Sequence, residues 1–321
     1  MLLQRSRRIK KLTRGAQNLT LALTLLAALT VTAQDTESAL QRGEEFLRAG
    51  SYAAASDIFL QAQGVDREEG IVGASRAFAA MGNVAEAVRV CEAALAGEAA
   101  ERYPLVTTQL AELLRERGES ARALALFEQL FAAEAQPPAR ALVQYGDLLQ
   151  FVGRREDARA VLQRAVDRYT DGLVFSSEDT AMVARASWLL GEFHDANSLF
   201  TEATRLDPSN LEAQVLWGNL FLEKYNSADA QRSFEDALAV NSRYVPALVG
   251  IASVSGDGSA LERALAINPT SALALEVQAQ LLFMNDREEE ALEAIDAALA
   301  SNPESLKSLS LLGAKAALEE R

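Results

Sequence analysis

The sequence has a single cysteine and a single histidine among 321 residues, together with only 18 glycines and 7 prolines. One cysteine excludes a disulfide framework, and one residue of each kind excludes a zinc site built from Cys and His. The motifs HExxH, GxSxG, GxxxxGKS/T, GxGxxG and CxxC do not occur. The chain therefore lacks the residues that zinc proteases, serine hydrolases and nucleotide-phosphate sites require. We therefore predict no catalytic residues, no metal site, no cofactor and a chain that is not an enzyme.

Aromatic residues are also scarce, at 6%, whereas 49% of the chain is hydrophobic and Ala and Leu are common in every segment. Such a composition favours helices that pack through small side chains and argues against a β-rich or disordered chain. The formal net charge is -14, from 31 Lys and Arg against 45 Asp and Glu. A chain this acidic repels phosphate backbones, so we expect no nucleic-acid partner.

Residues 1–33 have the pattern of a secretory signal peptide. Six basic residues and no acid precede an uncharged run from Leu19 to Val31, and Val31 and Ala33 are small enough for the positions that a signal peptidase reads. We predict cleavage after Ala33 and export to the periplasm or cell envelope. The alternative is a retained membrane anchor, which would have to extend over 16–33 because a span needs about 20 apolar residues. Cleavage would leave 288 residues with 25 basic and 45 acidic side chains, a net charge of -20.

A spacing of small and apolar residues recurs along the rest of the chain. An Ala follows each of five aligned glycines by five residues, and a large or apolar residue follows four positions later; another small residue precedes each glycine by seven. The aligned glycines are Gly50, Gly82, Gly118, Gly153 and Gly191. Spacings of four and three place side chains on one helical face, so each segment predicts two helices joined at a glycine. Such a hairpin buries its apolar faces only against neighbouring hairpins.

This pattern resembles the tetratricopeptide repeat, a two-helix unit of 34 residues. The resemblance implies an all-α, right-handed α-solenoid of antiparallel helix pairs over 34–305. The predicted units are 36–69, 68–101, 104–137, 139–172, 177–210, 211–244, a short unit at 245–271, and 272–305. Residues 306–321 then form a terminal helix that is either a cap or a truncated repeat. About seven residues are missing from the short unit, where we expect a kink or weak point.

In the tetratricopeptide family the first helices of successive units line a concave groove that holds a peptide. Transferring those positions gives a predicted partner-binding groove with both charges, an amide and two aromatic rings. Its members are Glu44, Arg76, Glu112, Asp147, Arg185, Trp188, Asn219 and Phe283. Over all transferred positions acids outnumber arginines ten to five, which favours a protein or peptide partner with basic and apolar groups. The alternative interpretation is that these charges form a solvated face. The Lys, Arg and Asn pattern of the carboxylate clamp in chaperone-tail receptors is absent.

Four further residues have simpler interpretations. Trp188 is either a binding anchor or a packing residue, Trp217 and Cys91 fit core positions, and His194 fits the exposed first turn of a second helix.

Two hypotheses for function remain. The first is a non-enzymatic, exported scaffold that binds a peptide or protein in the groove, with membrane contact only through an uncleaved signal segment. The alternative is the N-terminal repeat portion of a larger exported enzyme, such as a zinc metallopeptidase whose catalytic domain lies beyond residue 321.

Overall fold

The computed structural model describes residues 38–62, 67–98, 102–133, 136–256 and 258–319. These residues form seventeen α-helices and no β-strand. The helices are α1 (38–48), α2 (Tyr52–Gln61), α3 (Arg67–Ala80), α4 (Val84–Leu95), α5 (Pro104–Glu116), α6 (Ser120–Ala133), α7 (Ala139–Phe151), α8 (Arg155–Thr170), α9 (Ser177–Leu190), α10 (Phe193–Leu206), α11 (Leu211–Glu223), α12 (Ser227–Val240), α13 (Val245–Ser255), α14 (Gly258–Ile267), α15 (Ala272–Met284), α16 (Glu288–Ser301) and α17 (Leu306–Glu319). The predicted signal peptide, residues 1–33, lies outside the described residues, and none of the described helices is long and apolar enough to cross a membrane.

The helices stack as consecutive antiparallel pairs, as the all-α solenoid prediction requires. From α3 to α15, each odd-numbered helix packs against the even-numbered helix that follows it and against the next odd-numbered helix, and α1 packs on α2 through Gly43 and Phe59. The even-numbered helices have no comparable contacts with one another in the described residues. Because the first helices of neighbouring pairs approach each other more closely, the solenoid curves with its odd-numbered helices on the inside. The predicted fold class is confirmed.

The core depends on a large side chain of each second helix that fills a gap left by small residues. Phe59, Phe127, Phe200 and Phe234 are at most 1% exposed. A Cβ atom built on Gly218 would lie 2.5 Å from the Phe234 ring. Two backbones can therefore approach the ring only where the facing residue is very small, which is why the sequence alternates small and large residues at these positions.

Two turns depart from the glycine pattern, at Tyr225 and at Asp286, which has a φ of +57° between α15 and α16. Tyr225 stands where most units have glycine, between α11 and α12, and its backbone has a φ of +59° with a side chain that is 96% exposed. A bulky residue in the left-handed region costs roughly 1 kcal/mol because Cβ approaches the following carbonyl. The turn at Tyr225 therefore has the same left-handed backbone conformation as the glycine turns, and its backbone is strained.

The chain end and the short unit also keep the helical pattern. The short unit contains α13 and α14, of 11 and 10 residues. The last helix, α17, packs on α16 and more weakly on α15, while Leu306 and Leu309 remain 61% and 47% exposed. The solenoid thus continues as paired helices up to α16, followed by a single helix.

Candidate functional site

All eight residues predicted to form the groove lie on odd-numbered helices, which are the inner helices of the solenoid. Glu44 is on α1, Arg76 on α3, Glu112 on α5, Asp147 on α7, Arg185 and Trp188 on α9, Asn219 on α11 and Phe283 on α15. The positions transferred from the family therefore lie on the helices that line the concave side. The contacts of these residues differ from one end of the solenoid to the other.

A network of ion pairs crosses the middle of the concave face. The Asp147 carboxylate accepts hydrogen bonds from Arg115 of α5, at 2.9 Å, and from Arg185 of α9, at 2.8 Å. The three side chains are only 15–30% exposed. Charge-assisted bonds between partly desolvated groups are stronger than ordinary hydrogen bonds, so this triad fixes the orientation of α5, α7 and α9 relative to one another.

A second triad joins helices that are further apart in the chain. Arg140 of α7 pairs with Glu112 of α5 at 3.3 Å and with Glu212 of α11, on the far side of α9. Burial raises the pKa of Glu112, and Arg140 offsets this only in part. For Glu212 burial again opposes ionisation, but Arg140, Arg76 and Arg185 outweigh it and lower the pKa. We name the two triads together the inner charged ribbon, which consists of Glu112, Arg115, Arg140, Asp147, Arg185 and Glu212.

The ribbon changes the electrostatic expectation for the groove. It holds three acids and three arginines and is therefore neutral, whereas the transferred positions as a whole hold ten acids against five arginines. Glu44 lies 4.0 Å from Arg76, so these two opposite charges also face each other. Among the remaining inner acids, Glu116 has no ion-pair partner in the described residues, whereas Glu223 pairs with Lys224 at 3.3 Å and Glu276 is buried and accepts hydrogen bonds from two serines.

Of the two predicted aromatic residues, Trp188 lies on the same helix as the ribbon residue Arg185, and Phe283 lies on α15. Trp188 packs on a buried cluster around Phe200 and donates a hydrogen bond from Nε1 to Glu223 of α11, at 2.6 Å. The ring is therefore both a packing residue and a polar contact of the inner face. Phe283 packs on a cluster with Ile295, and Asn219 is half-buried on the inner helix α11.

A second feature was not predicted from the sequence. The loops after α12, α14 and α16 contact the turns within the first three helix pairs. Tyr52 donates a hydrogen bond to the Arg243 carbonyl at 3.1 Å, and Asn241 donates to Tyr52 Oη at 3.1 Å and to the Leu47 carbonyl at 3.4 Å. We name this line of contacts the inter-turn seam, because it joins one turn of the solenoid to the next.

The seam continues through two further loops. Asn268 donates to the Ala79 carbonyl at 3.4 Å, Thr270 donates to the Gly82 carbonyl at 3.3 Å, and the Ser120 amide donates to Glu304 at 3.3 Å. A signal for it exists in the sequence: three of these loops begin with asparagine, at 241, 268 and 302. An asparagine amide can donate a hydrogen bond to a carbonyl, which an aspartate cannot do.

A cavity of about 710 Å³ lies along the seam. Its walls come from the end of α3, the start of α4, the end of α5, the starts of α13 and α15, and the end of α16 with the loop that follows. Among its polar lining residues are Glu116, Tyr244 and Glu276. The surrounding protein and the Glu112 carboxylate raise the pKa of Glu116 to about 7, although its side chain keeps access to the solvent inside the solenoid.

The other residues singled out in the sequence are Cys91, His194 and Trp217. Cys91 is fully buried and its Sγ lies 3.4 Å from Ser75 Oγ; burial raises the pKa of this thiol to about 11. His194 is exposed in the first turn of α10. Trp217 is half-buried, and donates to Asn197 of the outer helix α10 at 2.9 Å. The described residues contain no group of three or more His, Cys, Asp or Glu able to hold a metal ion.

Comparison with known proteins agrees with this architecture. A tetratricopeptide-repeat family model matches residues 146–206 and 259–305. Among curated proteins, none matches the chain. A solved structure described as the APC/C hetero-tetramer Cut9-Hcn1 is similar in fold, with a TM-score of 0.50 and 13% identity over 84% of this chain. The chain spans about half of that protein, 53% of its length. These matches show tetratricopeptide repeats at residues 146–206 and 259–305, within a solenoid of stacked helix pairs.

Proposed function

We propose that this protein is a non-enzymatic, exported scaffold that binds a protein or peptide on its concave face. The observation that carries the proposal is the inner charged ribbon with Trp188 beside it. The charged side chains of the ribbon and the Trp188 ring lie together on the inner helices. Ion pairs hold the charged side chains in place before any partner binds. A preorganised polar surface lowers the cost of ordering side chains on association.

Two findings support a protein partner. Tetratricopeptide repeats generally bind proteins, and the family matches indicate no catalytic family. The chemistry of the partner follows from the inner side chains that the ribbon does not pair. Glu116, which is exposed and has no ion-pair partner in the described residues, favours a partner with basic groups, and the Trp188 and Phe283 rings favour apolar side chains.

Two tryptophans provide a matched test. Trp188 lies on the inner helix α9 and bonds to the inner residue Glu223, whereas Trp217 bonds to Asn197 of an outer helix. A peptide of alternating Lys and Leu and one of alternating Glu and Leu would be titrated by fluorescence anisotropy. We expect the basic peptide to bind more tightly, and Trp188→Ala to weaken its affinity by about tenfold or more, a typical loss for an aromatic anchor.

The Trp217→Ala variant should bind the basic peptide as the wild type does. Circular dichroism melts of both variants would establish that they remain folded. Equal affinity of wild type and Trp188→Ala, or equal binding of the acidic peptide, would disprove the assignment of the concave face.

Export is a separate part of the proposal and depends on the sequence of residues 1–33. The basic segment, the uncharged run and the small residues Val31 and Ala33 support cleavage after Ala33. Expression of the full chain in a bacterium, followed by mass spectrometry of the periplasmic fraction, should give a chain that begins at Gln34. An Ala33→Phe variant should retain residues 1–33, because a large side chain does not fit the peptidase. A wild-type chain that stays in the cytoplasm with Met1 would refute export.

A further inference from the structure

The inter-turn seam joins two kinds of edge of the solenoid. One edge consists of the turns inside the helix pairs, and the other consists of the loops that follow the even-numbered helices. A Cβ atom built on Gly50, Gly82 or Gly118 would lie 2.5–2.7 Å from the side-chain oxygen of a loop asparagine, at 241, 268 and 302 respectively. The turns and the loops therefore pack closely on each other, and each turn meets the loop of the pair five places further on.

The edge of turns continues beyond the seam. Its next five turns all have a positive φ, as the three seam turns do, and lie at Gly153, Gly191, Tyr225, Gly256 and Asp286. Apart from the adjacent residues, no described atom lies within 4 Å of a Cβ built on any of these three glycines. We name these five turns the turn rim. It has the backbone conformation of the seam turns, but the described residues provide no loop that covers it.

The edge of loops also continues beyond the seam. Gly97 follows α4 and Gly172 follows α8, and a Cβ built on either has no described atom within 4 Å apart from the adjacent residues. The loop after α8 contains the exposed side chains of Leu173 and Phe175, and α10 ends at the exposed Leu206. We name the loop segments 96–98, 171–176 and 206–210 the loop rim. It is the same kind of edge as the seam loops, and the described residues provide no turn that covers it.

The most exposed large hydrophobic side chains of the described residues lie at these two rims. Tyr225, at 96%, is on the turn rim, Met284, at 73%, is close to the turn at Asp286, and Phe175, at 80%, is on the loop rim. Contact with water is unfavourable for apolar side chains, and apolar surface that remains exposed in this way marks contact sites. Since turns and loops of this chain already pack on each other in the seam, a second copy of the chain fits both rims.

We propose that the turn rim of one copy packs on the loop rim of a second copy, so that the superhelix continues from one chain into the next. Tyr225 and Phe175 are the main apolar contacts. The two surfaces differ, so a pair of copies still has one uncovered rim of each kind, and association continues beyond a dimer as concentration rises. The contact involves the edges of the solenoid and does not depend on the proposed function of the concave face.

Sedimentation velocity of the full chain at increasing concentration tests this association. The ionic strength would be about 0.15 M, which screens the repulsion between acidic copies. We expect the wild type to form species larger than a dimer. Tyr225→Asp places a charge on the turn rim, at a backbone conformation that Asp tolerates, and Phe175→Asp places one on the loop rim. Each variant alone should associate about tenfold more weakly or less, a typical loss for an aromatic anchor.

An equimolar mixture of the two variants tests whether the contact joins unlike rims. Tyr225→Asp has an intact loop rim and Phe175→Asp has an intact turn rim, so the mixture should form a dimer that does not grow. Leu309→Asp, on the exposed face of α17 outside both rims, is the matched control and should associate as the wild type does. Circular dichroism melts would establish that all three variants are folded. The proposal is wrong if the wild type stays monomeric, if only one rim variant weakens association, if the mixture does not restore a dimer, or if Leu309→Asp prevents association.

Discussion

The inter-turn seam is expected to depend on the amide nitrogens of two asparagines. In Asn241 and Asn268 the side-chain oxygen accepts the backbone amide two residues later, at 2.9 and 3.1 Å, while the nitrogen donates to the first turn of the solenoid. Asp207 supports the same local turn by accepting the Ser209 amide at 2.8 Å. The double substitution Asn241→Asp with Asn268→Asp therefore keeps the two loops and removes only the donors that cross the seam.

The expected free-energy cost of opening the seam follows from the hydrogen bonds that are lost. Three donated hydrogen bonds disappear, to the Leu47 carbonyl at 3.4 Å, to Tyr52 Oη at 3.1 Å and to the Ala79 carbonyl at 3.4 Å. Two of them are long, so we assign about 0.5 kcal/mol to each of these and about 1 kcal/mol to the third. The sum of about 2 kcal/mol corresponds to a roughly 30-fold shift toward an open seam. Because Asn241 is 1% exposed, desolvation of a carboxylate there makes this a lower bound.

Hydrogen exchange measures this opening directly. Amides in 47–52 and 79–82 should exchange roughly 30-fold faster in the double variant, with unchanged helix content by circular dichroism and a larger radius of gyration by small-angle scattering. Asn302→Asp is the matched control, because Asn302 accepts the Glu304 amide in the same kind of loop, and its amide nitrogen has no hydrogen bond across the seam in the described residues. If the double variant and the control exchange at the wild-type rate, the asparagines do not hold the two turns together.

Three further predictions concern packing, titration and reactivity. Gly218→Ala forces a Cβ to within 2.5 Å of the Phe234 ring and should cost about 1–3 kcal/mol in urea unfolding, whereas Gly258→Ala, with no atom within 4 Å, should cost nothing; equal stability of the two variants would contradict the packing argument. The raised pKa of Glu116 means that the folded chain binds more protons than the unfolded chain between about pH 4.5 and 7, so this acid destabilises the fold as pH rises through that window. Because its side chain is solvent-accessible we expect only a small gain, about 1–2 °C in Tm at pH 8 and none at pH 4, for Glu116→Gln, and a gain at pH 4 would contradict this assignment. Cys91, fully buried with its pKa raised to about 11, should react with a thiol reagent only after unfolding; rapid labelling of the native chain would be inconsistent with its burial.

The fold could be predicted because its determinants are local. The small residues that face Phe59, Phe127 and Phe234 recur at fixed separations, and the helical period alone places them on one face. The placement of the predicted groove residues on inner helices follows in the same way, since a position in the repeat fixes the side of the helix. The family resemblance then supplied the concave face, which the periodicity did not define.

The charge state of that face could not be predicted in the same way. Arg140 and Glu212 are 72 residues apart and meet because the solenoid curves, and the curvature is the sum of small rotations between helix pairs. Counting acids against arginines along the sequence gave the overall balance of the face, but it did not show that three arginines and three acids pair with one another in the inner charged ribbon. Position in a repeat predicts which side chains face inward, but not which of them meet across the interior.

The positions of the seam contacts along the chain show what sets the register between the two turns of the solenoid. Each of its contacts joins the turn inside one predicted unit to the end of the unit five places further on: Gly50 to 241–243, Gly82 to 268–270, and Gly118 to 302–304. The short unit at 245–271 lies within this series, and we expected a kink there. The contacts before and after it nevertheless keep the same offset. Since α13 and α14 still form a helix pair, the rotation per pair is preserved although about seven residues are missing. The register between the two turns of the superhelix therefore depends on the number of helix pairs and not on the number of residues. This is why the missing residues in the short unit leave the two turns aligned.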